Sequence, residues 1–248
     1  IRVVTLNPAC LYLCYHASMR FSTGRCTDLV AIGNDRLQVK LDTKHIPLPG
    51  QFMLGRFWRT IYPYMNTVLF PTTTKSNGFT IEIKNEDTRS NYLSLGSKVS
   101  LIGPCGKPIL INKTTRHLLL VANKNPNKLL SFAQLALTSG IDVTFFISCT
   151  YPVKSLDPRI EVHRGELRPL LEKHLDWAEQ VLMDFNPRPI IRKLLDPISS
   201  KIYVLSDLMM PCGSGACHGC SVYTKSGWQL ACKQGPFFKL SELQTEFE

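Results

Sequence analysis

Four cysteines crowd the last fifth of this chain: Cys212, Cys217, Cys220 and Cys232, spaced Cys-x4-Cys-x2-Cys with the fourth following after eleven further residues. Four thiolates at that spacing suit a plant-type 2Fe-2S cluster, which takes three ligands from one tight loop and the fourth from a separate segment. Such a loop has to wrap the cluster and turn backbone N–H groups toward its sulfides. Gly213, Gly215 and Gly219 supply the positive φ angles and close approach this needs. The thiolates and the N–H groups around them then set the reduction potential. The competing reading is structural zinc on four cysteines, but that site normally pairs two Cys-x2-Cys knuckles and only one is present. His218 sits inside the loop; with four cysteines completing the donor set, it is expected to face solvent or to support the ligands from outside.

The remaining reactive residues form weaker patterns. Cys10, Cys14 and His16 are close in sequence but make an incomplete metal set, while Cys26, Cys105 and Cys149 read as small apolar residues of strands and turns. His45, His117, His163 and His174 have no catalytic companion and read as structural. Phe57, Trp58, Tyr62 and Tyr64 lie beside basic residues and suit either a stacking platform for a flavin or nucleic acid or, as the better-weighted reading, the core of a small barrel.

The elements that must position the cysteines follow from the hydrophobic pattern. Leu37–Leu41, Gly50–Phe57, Thr67–Phe70 and Gly78–Lys84 read as short strands, and Val99–Ile102 as another that ends at Gly103-Pro104, together suggesting an antiparallel barrel. From Arg116 the order becomes β-α-β: strand Leu118–Ala122, helix Leu129–Thr138 stopped at Gly140, strand Val143–Cys149. Leu167, Leu170, Leu171, His174 and Leu175 share one helical face, Trp177–Met183 is a further strand, and Pro189 starts the helix Ile190–Leu195. Ile202–Leu205 is the last strand before the cysteine loop. The fold class is therefore α+β multidomain: an N-terminal β-barrel over residues 1–113, a Rossmann-like parallel-sheet domain over 114–200 and a small cluster module over 201–248.

Composition bounds the rest. With 248 residues, 44% hydrophobic and 19% charged, the chain has the profile of a folded globular protein. No apolar run approaches the roughly 20 residues of a membrane-spanning helix, so no transmembrane segment is expected. Nine cysteines, an odd number in a chain of this length, speak against a secreted disulfide scaffold and for a reducing compartment, the cytoplasm or an organelle matrix. Residues 1–125 carry 16 Lys and Arg against 6 Asp and Glu, whereas 126–248 carry 13 of each. The basic half suits an acidic protein partner or, as a less favoured choice, nucleic acid.

Several motifs together resemble a known family. Ser206 through Cys220, with Cys232-Lys-Gln-Gly-Pro-Phe-Phe238, is similar to the cluster loop and closing Cys-x-x-Gly-Pro-x-Phe of the electron-transfer subunit of class 1B dihydroorotate dehydrogenase, in the ferredoxin-reductase-like superfamily. Pro49-Gly50-Gln51-Phe52 and the Gly103-Pro104-Cys105-Gly106 turn resemble its barrel motifs, and Trp177–Val181 and Pro189 fall in family order. The resemblance implies a barrel that binds FAD, a parallel-sheet domain that accepts a nicotinamide nucleotide, and a 2Fe-2S cluster that passes electrons to a catalytic subunit carrying FMN. Measured against the family, the nucleotide motifs are altered. Arg-Pro-x-Ser appears as Tyr62-Pro63-Tyr64-Met65, and Gly-x-Gly-Thr as Asn85-Glu86-Asp87-Thr88. The glycine-rich turn stands as Ala122-Asn-Lys-Asn-Pro-Asn127, and Cys-Gly-Pro is replaced around Met183-Asp184-Phe185-Asn186. Tyr64 and Thr88 are what remains of the flavin contacts, with Arg56, Arg59, Lys84 and Arg89 as substitute phosphate contacts, and NAD is not expected to bind. The expectation is a one-electron relay in a larger redox complex; its competitor is a non-catalytic scaffold subunit that keeps fold and cluster.

Overall fold

The computed structural model describes residues 20–58, 65–112 and 114–244. Seven strands form an antiparallel sheet: β1 (Phe21–Ile32), β2 (Arg36–Asp42), β3 (Phe52–Arg56), β4 (Thr67–Leu69), β5 (Thr73–Lys75), β6 (Gly78–Lys84) and β7 (Lys98–Cys105). Their order is β4-β3-β7-β1-β2-β6-β5. Alternation places Val39 and Leu41 of β2 and Phe79, Ile81 and Ile83 of β6 in one buried core with Phe57 and Trp58. Those two aromatics therefore pack the interior, as the better-weighted sequence reading has it.

A second sheet of six strands follows: β8 (His117–Ala122), β9 (Asp142–Ile147), β10 (Glu161–Arg164), β11 (Gln180–Met183), β12 (Ile202–Leu205) and β15 (Phe237–Lys239), in the order β10-β9-β8-β11-β12-β15. The first five run parallel. Leu118 through Ala122 are all fully buried, because a central parallel strand is covered on both faces. Helices α1 (Leu130–Thr138), α2 (Leu167–His174) and α3 (Pro189–Leu195) connect the strands. Gly140, at φ +72°, ends the α1 segment, and Pro189 occupies the first turn of α3. No helix among the described residues is long and apolar enough to cross a membrane.

The two sheets share buried contacts. Glu82 of β6 turns away from the antiparallel core, and both its carboxylate oxygens accept from the Tyr151 hydroxyl, at 3.0 and 2.9 Å. Burial pushes the Glu82 carboxyl up and the Tyr151 hydroxyl up as well. Arg36 lies 4.9 Å over the Tyr151 ring, supplying a cation to the same buried cluster.

The structure corrects several element boundaries. The strand expected to stop at Ile102 continues through Gly103-Pro104 to Cys105, which pairs with Phe52. The strand read over Trp177–Met183 begins only at Gln180, where pairing with Leu118 of β8 starts; Trp177, before it, donates its indole N–H to His174 Nδ1 at 3.2 Å. Strand β1, the longest at twelve residues, escapes sequence reading because Ser, Thr, Arg and Asp interrupt its apolar alternation and a bulge falls between Cys26 and Asp28. The short hairpin β13 (Ser221–Thr224) and β14 (Gly227–Leu230), and β15, which pairs antiparallel with β12, also carry too few residues for a periodic signal.

Candidate functional site

The cysteine loop leaves β12 and is held by hydrogen bonds to the segments that lead into β15 and β4. Ser206 N–H donates to Pro236 O at 2.9 Å, and Asn66 Nδ2 donates to Pro211 O at 3.4 Å. Gly213, at φ +63°, presses against the first sheet: a Cβ there would meet Cys105 Sγ and Leu54 Cδ1, each at 2.8 Å. Glycine is thus required both by angle and by space. Gly215 and His218 also have positive φ, at +83° and +54°, and His218 faces solvent, as one of its two sequence readings has it.

The fourth cysteine is held from the opposite side. Gly106 N–H donates to Cys232 O and Ala231 N–H to Cys220 O, both at 2.9 Å, and Lys107 N–H donates to Gly235 O at 2.6 Å. The Gly-Pro-x-Gly turn closing β7 therefore docks on the Cys-x-x-Gly-Pro segment. Cys220 and Cys232 are each 1% exposed and share a core with Phe52, Leu54, Cys105 and Met210, whereas Cys212 is half-buried and Cys217 exposed. Two of the thiols lie inside and two at the surface.

The thiols influence one another's protonation. Burial pushes the Cys212 thiol up, but hydrogen bonds from the Ser214 hydroxyl, from the Cys217 N–H and thiol and from the Ser214 N–H outweigh it and bring it down to about 6. Burial and the neighbouring Cys220 thiol push Cys232 up to about 12, against a hydrogen bond from Gly215 N–H. Cys105, buried beside Cys212, is pushed up to about 11, mainly by burial. All seven cysteines among the described residues are free thiols. No three His, Cys, Asp or Glu among the described residues are grouped to hold a single metal ion. The loop and its closing segment thus bring four free thiols, two buried and two toward the surface.

The nucleotide motifs take a different form. Thr88 is exposed on a 3-10 turn, Thr88–Tyr92, whose N-terminus is capped by Asp87. The Asp87 carboxylate accepts from Arg89 N–H at 3.0 Å and from both Nε and Nη2 of its guanidinium. Burial pushes this carboxyl up, and the Arg89 bonds outweigh it, holding it below the usual range. After β8, the N–H groups of Asn123 and Lys124 donate to Asp184 at 2.8 and 3.0 Å, and that of Asn125 also donates to it. Between the two turns lies a cavity of about 380 Å³ in which Arg36, Lys84 and Arg89 are balanced by Glu82, Glu86 and Asp87. Each of the two turns thus holds a carboxylate of its own. Arg56 stands apart, over the Trp58 ring at 6.0 Å. Tyr62, Tyr64, Arg59, Cys10, Cys14 and His16 lie outside the described residues.

Sequence reading missed two residues of this region: Cys105 hides in a turn motif, and Asp184 registered only within a departure from Cys-Gly-Pro. The usable signal was a carboxylate standing where a phosphate-binding turn would reject one. Beside the cluster loop, Trp228 is 71% exposed and packs against Tyr223 with ring centroids 5.0 Å apart and planes tilted by 48°, and Leu208 and Met209 are exposed on its approach.

Comparison with known proteins adds the following. Residues 207–244 match the iron-sulfur cluster binding domain of dihydroorotate dehydrogenase B. Over 213 residues the chain is 24% identical to the electron transfer subunit of dihydroorotate dehydrogenase B (NAD(+)) of Clostridium acetobutylicum, which covers 79% of this chain and 85% of that one. Among solved structures it is similar to an NADH-dependent reduced ferredoxin-NADP oxidoreductase, at 18% identity and TM-score 0.68 over 89% of each chain. It is also similar to the ferredoxin reductase of a carbazole 1,9a-dioxygenase, at 17% identity and TM-score 0.57 over 73% of this chain and 64% of that one. The fold is ferredoxin-reductase-like.

Proposed function

Because the chain is a homologue of the dihydroorotate dehydrogenase B electron-transfer subunits and carries that family's iron-sulfur domain on a ferredoxin-reductase-like fold, we propose that it is the 2Fe-2S relay subunit of a dihydroorotate dehydrogenase-type complex. Cys212, Cys217, Cys220 and Cys232 are the ligands. The observation that carries this is the match of residues 207–244, which hold all four cysteines, to the iron-sulfur cluster binding domain, with Cys220 and Cys232 together in one buried core. A bound cluster supplies one-electron transfer. The chain's part is to hold it: Cys220 and Cys232 anchor it in the core shared by both sheets, and Ser214, Gly215 and Cys217 offer N–H groups that stabilise negative charge on sulfur.

Exposure of Cys217 puts one edge of the site at the surface, where a catalytic partner subunit docks and takes electrons. Free thiols suit a reducing compartment, the cytoplasm or an organelle matrix. The FAD and NAD sites of the fold are lost or weakened, a reading supported by the carboxylates in both phosphate turns. Residues 1–113, 114–200 and 201–248 are the units that divide these tasks. The test is Cys217→Ser in the complex: electron transfer is abolished while the partner stays bound, and transfer retained in this variant contradicts the relay. The filled turns also favour a second reading, a scaffold subunit with the cluster kept for stability. In that case complex assembly, rather than electron transfer, depends on the cluster.

A further inference from the structure

The order β10-β9-β8-β11-β12 reverses direction between β8 and β11, so the crevice at the carboxyl ends of these two strands is the topological switch point of the parallel sheet. In open α/β sheets this crevice is where ligands bind, and the turn after the first strand is where pyrophosphate meets backbone N–H groups. Here the N–H groups of three successive residues, Asn123, Lys124 and Asn125, converge as a small anion-binding concavity. Its occupant comes from the chain itself. Asp184 follows β11, whose Met183 pairs with Val121 of β8, so register alone brings its side chain beside the turn.

We propose that Asp184 is the built-in occupant of this anion site and excludes the phosphates of a pyridine dinucleotide from the chain. The inference deepens the loss of nucleotide sites read above and rests on that part of it. Asp184 is 0% exposed, and its own N–H donates to Val121 O at 3.2 Å, fixing its backbone against the strand that enters the turn. From the other side, Ser148 Oγ donates to Ala122 O at 3.2 Å and to Asn123 Oδ1 at 2.8 Å, holding the turn in shape. The side chains of Asn123 and Lys124 are exposed although their N–H groups are taken. An incoming phosphate would have to displace a buried carboxylate from three donors and leave its charge without partners, an exchange that phosphate contacts of the same kind do not repay.

The test uses the full chain with its cluster and has two parts. In the wild type, amide hydrogen exchange at Asn123, Lys124 and Asn125 is expected to be at least ~100-fold slower than at unbonded exposed amides, reflecting their bonds to Asp184. Inorganic pyrophosphate is expected to leave these amide resonances unmoved. Exchange at the rate of free loops, or pyrophosphate binding that shifts these resonances in the wild type, overturns the proposal. In Asp184→Gly the vacated turn is expected to bind pyrophosphate at least ~10-fold more tightly than the wild type does. A folded variant without that gain overturns the proposal as well. Should Asp184→Gly fail to fold, Asp184→Ser replaces it under the same criterion, and the wild-type measurements decide in either case. Iron and sulfide are assayed on the same samples, so loss of the relay reading through an absent cluster is scored separately from pyrophosphate binding and exchange.

Discussion

The cysteine loop and the turn after β8 use one device for opposite ends. Each turns backbone N–H groups toward an acceptor: those of Ser214 and Cys217 help hold the Cys212 thiol down, and those of Asn123, Lys124 and Asn125 donate to a carboxylate. In the first, glycines and a positive-φ histidine let the backbone curl around a group that must come from outside, and Cys212 and Cys217 keep part of their surface open. In the second, the turn lacks glycine and the charge comes from Asp184, sealed under the strand ends. Converging donors therefore do not by themselves mark a ligand site; what matters is whether the chain already fills it.

The comparison is broken most directly at the cluster. Cys220→Ser removes a buried thiol that the proposal makes a ligand, and iron and acid-labile sulfide per chain are expected to fall to near zero while the parallel sheet survives by circular dichroism. Asp184→Ala strips three N–H groups of their acceptor and is expected to cost about 3 kcal/mol in urea unfolding, since unpaired buried donors are costly. Gly213→Ala, which forces a Cβ onto Cys105 and Leu54 at positive φ, is expected to cost about 2 kcal/mol and to lower cluster retention.

A smaller effect is expected at Asp87. Its carboxyl titrates below the ordinary value of 3.8, because Arg89 donates to it in spite of burial. A carboxylate lowered in the folded state stabilises above its unfolded pKa, and that stabilisation is lost as pH falls through the lower folded value. The Arg89 amide and guanidinium resonances should therefore shift with a midpoint below 3.8, and a midpoint at or above it contradicts the capped turn. The smallest effect on stability is expected from Trp228→Ala, within about 0.5 kcal/mol, since the ring is exposed. A partner that docks beside the cluster loop loses affinity in this variant.

How much was legible in the sequence follows from where the physics is local. Cysteine spacing and intervening glycines are properties of one short segment, so the cluster loop could be read directly. Long apolar strands such as Leu118–Ala122 and the helices with a 3.6-residue period were equally plain. Strand β1 was not, because its pairing with β2 and β7, rather than its own alternation, makes it a strand. Asp184 was not either: its bonds reach across about sixty residues to the turn after β8, and only sheet register brings them together. The sequence reading recognised that the glycines were missing, whereas the structure identifies what took the ligand's place.

The most direct test of the central claim, a kept cluster beside closed nucleotide turns, is a cofactor inventory of the anaerobically purified chain: iron, acid-labile sulfide, zinc and extractable flavin on one sample. Two irons and two sulfides per chain with no flavin is the expected result. Zinc in place of iron, or stoichiometric flavin beside the cluster, would contradict the account.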